Sequence, residues 1–120
     1  KTGLTPLSAF GDGVRRVVMM ALTLPQIKDG VLLIDEIETA IHISVLNEVY
    51  QWLFAACQQN NVQLFATTHS LEAVDALLKA HNSSPDRLVG YRLGQPGEPV
   101  RRYDSDLLDR LRSERGLDVR

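Results

Sequence analysis

The segment Val31-Leu32-Leu33-Ile34-Asp35-Glu36 constrains this chain more than any other: four apolar residues run directly into two adjacent carboxylates. A continuous apolar run bounded by polar residues suits a strand buried on both faces, as strands are in a parallel sheet. Carboxylates at the C-terminal end of such a strand stand at the sheet edge where α/β proteins bind ligands. A second apolar segment, Val62-Gln63-Leu64-Phe65-Ala66, runs into Thr67-Thr68-His69-Ser70. Two strands that deliver Asp-Glu and His to one edge point to nucleotide hydrolysis.

The intervening sequence supports that order. Ser44 is a good N-cap, and the spacing predicts a helix over 44–59 with Val45, Val49, Trp52, Leu53 and Ala56 as its buried stripe. Asn60-Asn61 closes it. Strand, helix and strand in this order make a βαβ unit, with a crossover long enough for parallel pairing. Upstream, the small-residue turn Leu7-Ser8-Ala9-Phe10-Gly11-Asp12-Gly13 leads into a helix predicted over 14–24, with Val17, Val18, Ala21 and Leu22 on its apolar face. Pro25 should end or kink that helix, because proline lacks a donor and clashes with the preceding turn. Downstream, Ser70 caps a helix over 71–80. A polar connector then leads to two short strands, 88–93 and 99–103, around Gly94-Gln95-Pro96-Gly97. Asp104 or Ser105 caps a last helix that ends near Gly116, a plausible C′ residue.

Residues 1–81 therefore read as one core, and 82–120 as a hairpin-and-helix appendix of the same domain. At 120 residues the chain is long enough for a single modest core. A net charge of −2 gives no overall basic field to recruit nucleic acid. The lone Cys57 excludes an intrachain disulfide and suits a reducing cytoplasm. The longest apolar stretch, 17–24, is well short of the roughly 20 residues a membrane span needs. Lys1 in first place gives the start the look of mid-protein, and a fragment is expected.

The acidic pair has a clear chemical use. Mg²⁺ takes oxygen ligands, keeps several waters and binds through one or two carboxylates plus phosphates. Asp35 fits that role, directly or through a metal-bound water. Phosphoryl transfer to water also needs a group that orients the nucleophile, and Glu36 is the candidate. His69 can donate a hydrogen bond to a γ-phosphate oxygen and so sense it. Thr67, Thr68 and Ser70 read as strand-end and capping hydroxyls. Free N–H groups at the turn before the first helix form an anion site, and Gly11 and Gly13 allow close backbone approach. Arg15 and Arg16 contact phosphate or a partner, or lie on a solvated helix face. Glu38 and His42, four residues apart, pair on a helical turn, face a subunit interface or lie on the surface.

Taken together, Leu7-Ser8 with Gly11 and Gly13, the Asp35-Glu36 strand and the His69 strand resemble the C-terminal half of an ABC-type P-loop ATPase. The three elements resemble its signature loop, Walker B strand and switch histidine. The nearest resemblance is to stand-alone AAA-family ATP-binding proteins near the OLD and RecF groups, and it is most specific over 7–72. It implies an α/β, parallel-sheet P-loop NTPase half carrying a C-terminal β-hairpin and helix. It implies that Asp35 supports Mg²⁺, Glu36 positions the attacking water and His69 reads the γ-phosphate of ATP. It further implies that Ser8, Gly11 and Gly13 reach ATP held by a second protomer, so a homodimer is expected. Two departures limit the transfer: Ala9-Phe10 replaces a pair of glycines, and Ile37 to His42 is not the transporter D-loop.

No G-x-x-x-x-G-K-S/T occurs in the sequence, so nothing in it cradles the α- and β-phosphates. The expectation is an ATP-driven dimerisation switch whose missing N-terminal half carries that Walker A loop. The fragment alone should be inactive. DNA, a nuclease or another effector is a possible partner; a membrane is not. Two alternatives stand beside this one. The first is a catalytically silent dimerisation module, and the second a metal-dependent hydrolase built on Asp35, Glu36, His42 and His69.

Overall fold

A computed structural model describes residues 3, 4, 6, 11–82, 87–114, 116 and 119. Helix α1 (Asp12–Thr23) opens the described core; Asp12 in its first turn complements the positive end of the helix dipole. It stops where Pro25 demands, passing into a short 3₁₀ turn, Leu24–Gln26, that buries Leu24. Strand β1 (Val31–Ile34), helix α2 (Leu46–Gln59) and strand β2 (Gln63–Ala66) follow. The two strands pair in parallel, from Val31 opposite Gln63 to Ile34 opposite Ala66. The βαβ unit expected from the sequence is therefore present, in a small α/β domain with a parallel sheet.

Helix α2 is shifted from expectation. His42, not Ser44, starts this region: its side chain accepts the Ser44 N–H and sets a 3₁₀ turn, Ile43–Val45, ahead of the helix. The helix begins at Leu46, and its buried residues are Leu46, Tyr50, Leu53 and Cys57. That stripe is offset from the expected one. Leu53 is common to both and Val49 and Ala56 pack partly against the core, whereas Val45 and Trp52 are exposed. The core joins this stripe to Leu24, Ile37, Val62 and Ala80. Truncating a fully buried residue such as Leu53 to alanine would cost about 2–5 kcal/mol.

The expectation that β1 is buried on both faces does not hold. Leu32, Ile34 and Leu64 pack toward the core, but Val31 and Leu33, on the opposite face, are 52% and 74% exposed. Phe65, the register partner of Leu33, is exposed as well. The alternation of a strand sends successive side chains to opposite faces, and among the described residues only one face is covered.

Ser70 caps helix α3 (Leu71–His81) by accepting the Ala73 N–H at 3.1 Å. Strands β3 (Val89–Arg92) and β4 (Arg101–Asp104) form an antiparallel hairpin separate from the first sheet. Asp104 caps helix α4 (Ser105–Ser113) through the Leu107 N–H at 2.8 Å. Gly116, at φ +57°, donates its N–H to the Arg112 carbonyl beyond the helix end. Leu78, Leu108 and Val119 form a second, smaller core, and Gly90 lets Leu108 approach the hairpin. Arg112 ties α4 to α3 with a two-pronged bond to Asp75, at 2.7 and 2.8 Å. No helix among the described residues is long and apolar enough to cross a membrane.

Candidate functional site

The ends of β1 and β2 form one polar edge. The parallel register that pairs Ile34 with Ala66 continues one step, setting Asp35 beside Thr67. Thr67 Nα–H donates to the Ile34 carbonyl and the Ile37 N–H to the Thr67 carbonyl, both at 3.0 Å. The Thr67 hydroxyl donates to Asp35 Oδ1 and accepts the Glu36 N–H at 2.8 Å. One side chain just beyond β2 thereby orients the Asp35 carboxylate and holds the Glu36 backbone at the end of β1. Its hydroxyl is the strand-end group expected from the sequence, and it touches both members of the acidic pair.

Glu36 sits at φ +47°, in the left-handed region that non-glycine residues rarely occupy. Strain of this kind persists only where neighbouring bonds over-determine it. Here Arg16 supplies them from α1: its Nη2 donates to the carbonyls of Asp35 at 2.8 Å and Glu36 at 2.9 Å. The Thr67 hydroxyl holds the Glu36 N–H, and Thr39 Oγ1 donates to Glu36 Oε2 at 3.1 Å. Arg16 thus faces the turn of the acidic pair, and Arg15 instead reaches Asp12 on its own helix at 3.4 Å.

His69 lies at the same edge, between β2 and α3, with its side chain exposed. Its backbone N–H donates to Glu38 Oε1 at 3.3 Å. Glu38 and His42 do not pair with each other: Glu38 turns to the His69 backbone, and His42 Nδ1 lies 2.8 Å from Ser44 Oγ. The positive φ of Ala40, +64°, breaks the helical turn that would have paired the two side chains.

The two expected glycines divide into two kinds, because the helix starts at Asp12 rather than after Gly13, and Gly13 lies in its first turn. Gly11 is the N-cap position, with open space where a side chain would stand. At Gly13 a Cβ would come within 2.1 Å of the Ala40 carbonyl oxygen, so this glycine admits the 39–41 turn against the helix. Ser8, the other expected member of this loop, lies outside the described residues. Between α1 and the 40–45 segment runs an open apolar cleft walled by Val14, Val17, Ile41 and Val45.

What this edge can do chemically follows from its groups. A single exposed carboxylate such as Asp35, with one oxygen already oriented, suits a hydrated hard cation shared with a phosphate. It does not suit a metal held by protein alone. Among the described residues no group of three or more His, Cys, Asp or Glu side chains could hold an ion. The metal-hydrolase alternative therefore finds no site there. Arg16, Thr67 and Glu38 are the residues whose site contacts sequence reasoning did not assign. Thr67 was findable, since in-register pairing of the two apolar strands places it beside Asp35.

Residues 1–75 match a family model described as "AAA domain, putative AbiEii toxin, Type IV TA system". The matched span holds Asp35, Glu36, Thr67 and His69 and ends within α3. An uncharacterized protein of Methanocaldococcus jannaschii is 44% identical over 70 residues, which is 58% of this chain and 61% of that protein. An ATP/GTP phosphatase of Helicobacter pylori is 31% identical over 75 residues, 60% of this chain and 20% of that protein. The alignments thus span under two thirds of either relative's length. No solved structure matches.

Proposed function

The chain belongs to the AAA-domain family whose model it matches, and from that membership we propose that it is the part of a P-loop ATPase that delivers the hydrolytic edge. Nucleotide binding and hydrolysis in general are what the family and the phosphatase relative suggest. One observation carries the finer reading: Asp35, Glu36 and His69 stand at one edge of a parallel strand pair, with the Glu36 turn fixed by Arg16 and Thr67.

In this reading Asp35 holds Mg²⁺, directly or through water, and Thr67 fixes the rotation of its carboxylate. Mg²⁺, when bound, neutralises phosphate charge. Glu36 accepts a hydrogen bond from the attacking water and orients it, while Thr39 steadies the carboxylate. His69 donates to the γ-phosphate from the second strand. The phosphate-cradling loop comes from polypeptide outside these 120 residues, and the bare face of β1 and β2 supports a further layer there. Gly11, with Ser8, would approach ATP bound by a second copy, whereas Gly13 packs against the 39–41 turn; the exposed Val14 and Ile43 beside the apolar cleft suit a partner surface. ATP then closes a dimer and hydrolysis opens it.

The test is Mg²⁺-dependent phosphate release by the complete protein, with sedimentation run in ATP and in ADP. The reading expects turnover, and association in ATP that reverses in ADP. Absence of ATP binding by the complete protein would contradict it.

A further inference from the structure

Glu38 is used by nothing in the chemistry above, yet its placement is unusual. It follows the acidic pair by two residues, and one carboxylate oxygen takes the His69 N–H at 3.3 Å. The other, Oε2, is buried and has no hydrogen-bond partner. Three more buried atoms share that condition: Arg16 Nε on α1, and Asn47 Oδ1 and the Tyr50 hydroxyl on α2. Buried polar groups are normally satisfied, so Glu38 Oε2, Arg16 Nε and the Tyr50 hydroxyl, on three segments around one turn, call for a reason.

We propose that Glu38 is a positioning residue that ties the His69 turn to the Glu36 turn, holding the two at a fixed separation across the ends of β1 and β2. The inference rests on the ATPase reading, since it is the Glu36–His69 separation that the reaction would use.

Three connections support it. Glu38 is covalently two residues from Glu36 and hydrogen-bonded to His69, so it spans the two turns directly. Arg16 holds the Asp35 and Glu36 carbonyls with its Nη2 while its Nε points into protein, so the same guanidinium braces the turn from which Glu38 projects. Tyr50 is fully buried beneath, and its ionisation is pushed up by burial first and by the Glu38 carboxylate second, with Arg16 opposing. Tyr50 therefore lies within the field of both charges. An acceptor, a donor and a hydroxyl that can do either are complementary in kind, although no hydrogen bond joins them.

The experiment uses the complete protein and two readouts, ATP turnover and amide exchange at His69. Glu38→Ala should lower kcat by about 10²-fold, the scale expected for a displaced group of about 1 Å, with KM for ATP unchanged and faster exchange at His69. Glu38→Gln keeps an oxygen that accepts the His69 N–H, so it should retain most of kcat and the exchange protection. Should Glu38→Ala not fold, Glu38→Asp, one methylene shorter, should give the same loss. Wild-type kcat and exchange in the Ala or Asp variant would overturn the proposal. So would equal damage from Gln and Ala, which would make charge rather than reach the cause. Glu36→Gln measured alongside separates the two levels. If it turns over ATP normally, the site reading falls; if it is dead while Glu38→Ala is normal, only the positioning role falls.

Discussion

The Thr67 hydroxyl donates to the Asp35 carboxylate while accepting the Glu36 N–H at 2.8 Å, so one side chain just beyond β2 orients the first acid and holds the backbone of the second. Parallel register brings Thr67 beside Asp35, one step past Ile34 and Ala66, and the left-handed turn at Glu36 directs its N–H to the hydroxyl instead of the Thr67 carbonyl. A hydroxyl there matches one acceptor and one donor that the strand ends leave facing each other.

Thr67→Val keeps the shape of the side chain and removes the hydroxyl. Because the residue is exposed, the stability cost should be only about 1 kcal/mol. ATP turnover by the complete protein should fall nonetheless, and Thr67→Ser should restore it. Denaturant melts paired with steady-state rates check this; unchanged turnover in Thr67→Val would refute an orienting role.

Gly13 and Gly11 should respond differently to alanine. A Cβ at Gly13 would meet the Ala40 carbonyl oxygen at 2.1 Å, whereas at Gly11 it would meet nothing within 4 Å. Gly13→Ala should cost about 1–3 kcal/mol, the range for overpacking, and Gly11→Ala should stay within about 0.5 kcal/mol. Urea titrations of both variants decide the matter.

Tyr50 predicts the alkaline behaviour of the fold. Burial, then Glu38, raise its ionisation well above the ordinary tyrosine range, with Arg16 pulling the other way. An unfolded tyrosine ionises near pH 10. Above that pH the unfolded chain releases a proton that the folded chain keeps, so stability falls as pH rises. Tyr50→Phe should be less stable at neutral pH or equal to wild type, but should lose stability less steeply above about pH 10. Parallel slopes for the two proteins would show that Tyr50 is not the group responsible.

Much of this architecture is legible in local sequence chemistry. Pro25 stops α1, Ser70 and Asp104 cap α3 and α4, and both apolar strands lie where their composition places them. Asp35, Glu36 and His69 share an edge because parallel strands end on the same side. The phase of α2 was hidden, because the His42 side chain builds a 3₁₀ turn that delays the helix to Leu46. Arg16 and Glu38 were hidden for a related reason. Their contacts depend on left-handed backbone at Glu36 and Ala40, which no propensity of glutamate or alanine announces. The open face of β1 is not legible in the sequence, because an apolar run reports what a strand can bury, not what covers it.

The most direct measurement is steady-state ATP hydrolysis by the complete protein carrying Glu36→Gln, with ATP affinity measured in parallel. Removing a group that orients water should reduce turnover by about 10²–10⁴-fold, and the amide should leave ATP binding in place. Turnover at the wild-type rate in Glu36→Gln would contradict the assignment of this sheet edge as the hydrolytic site.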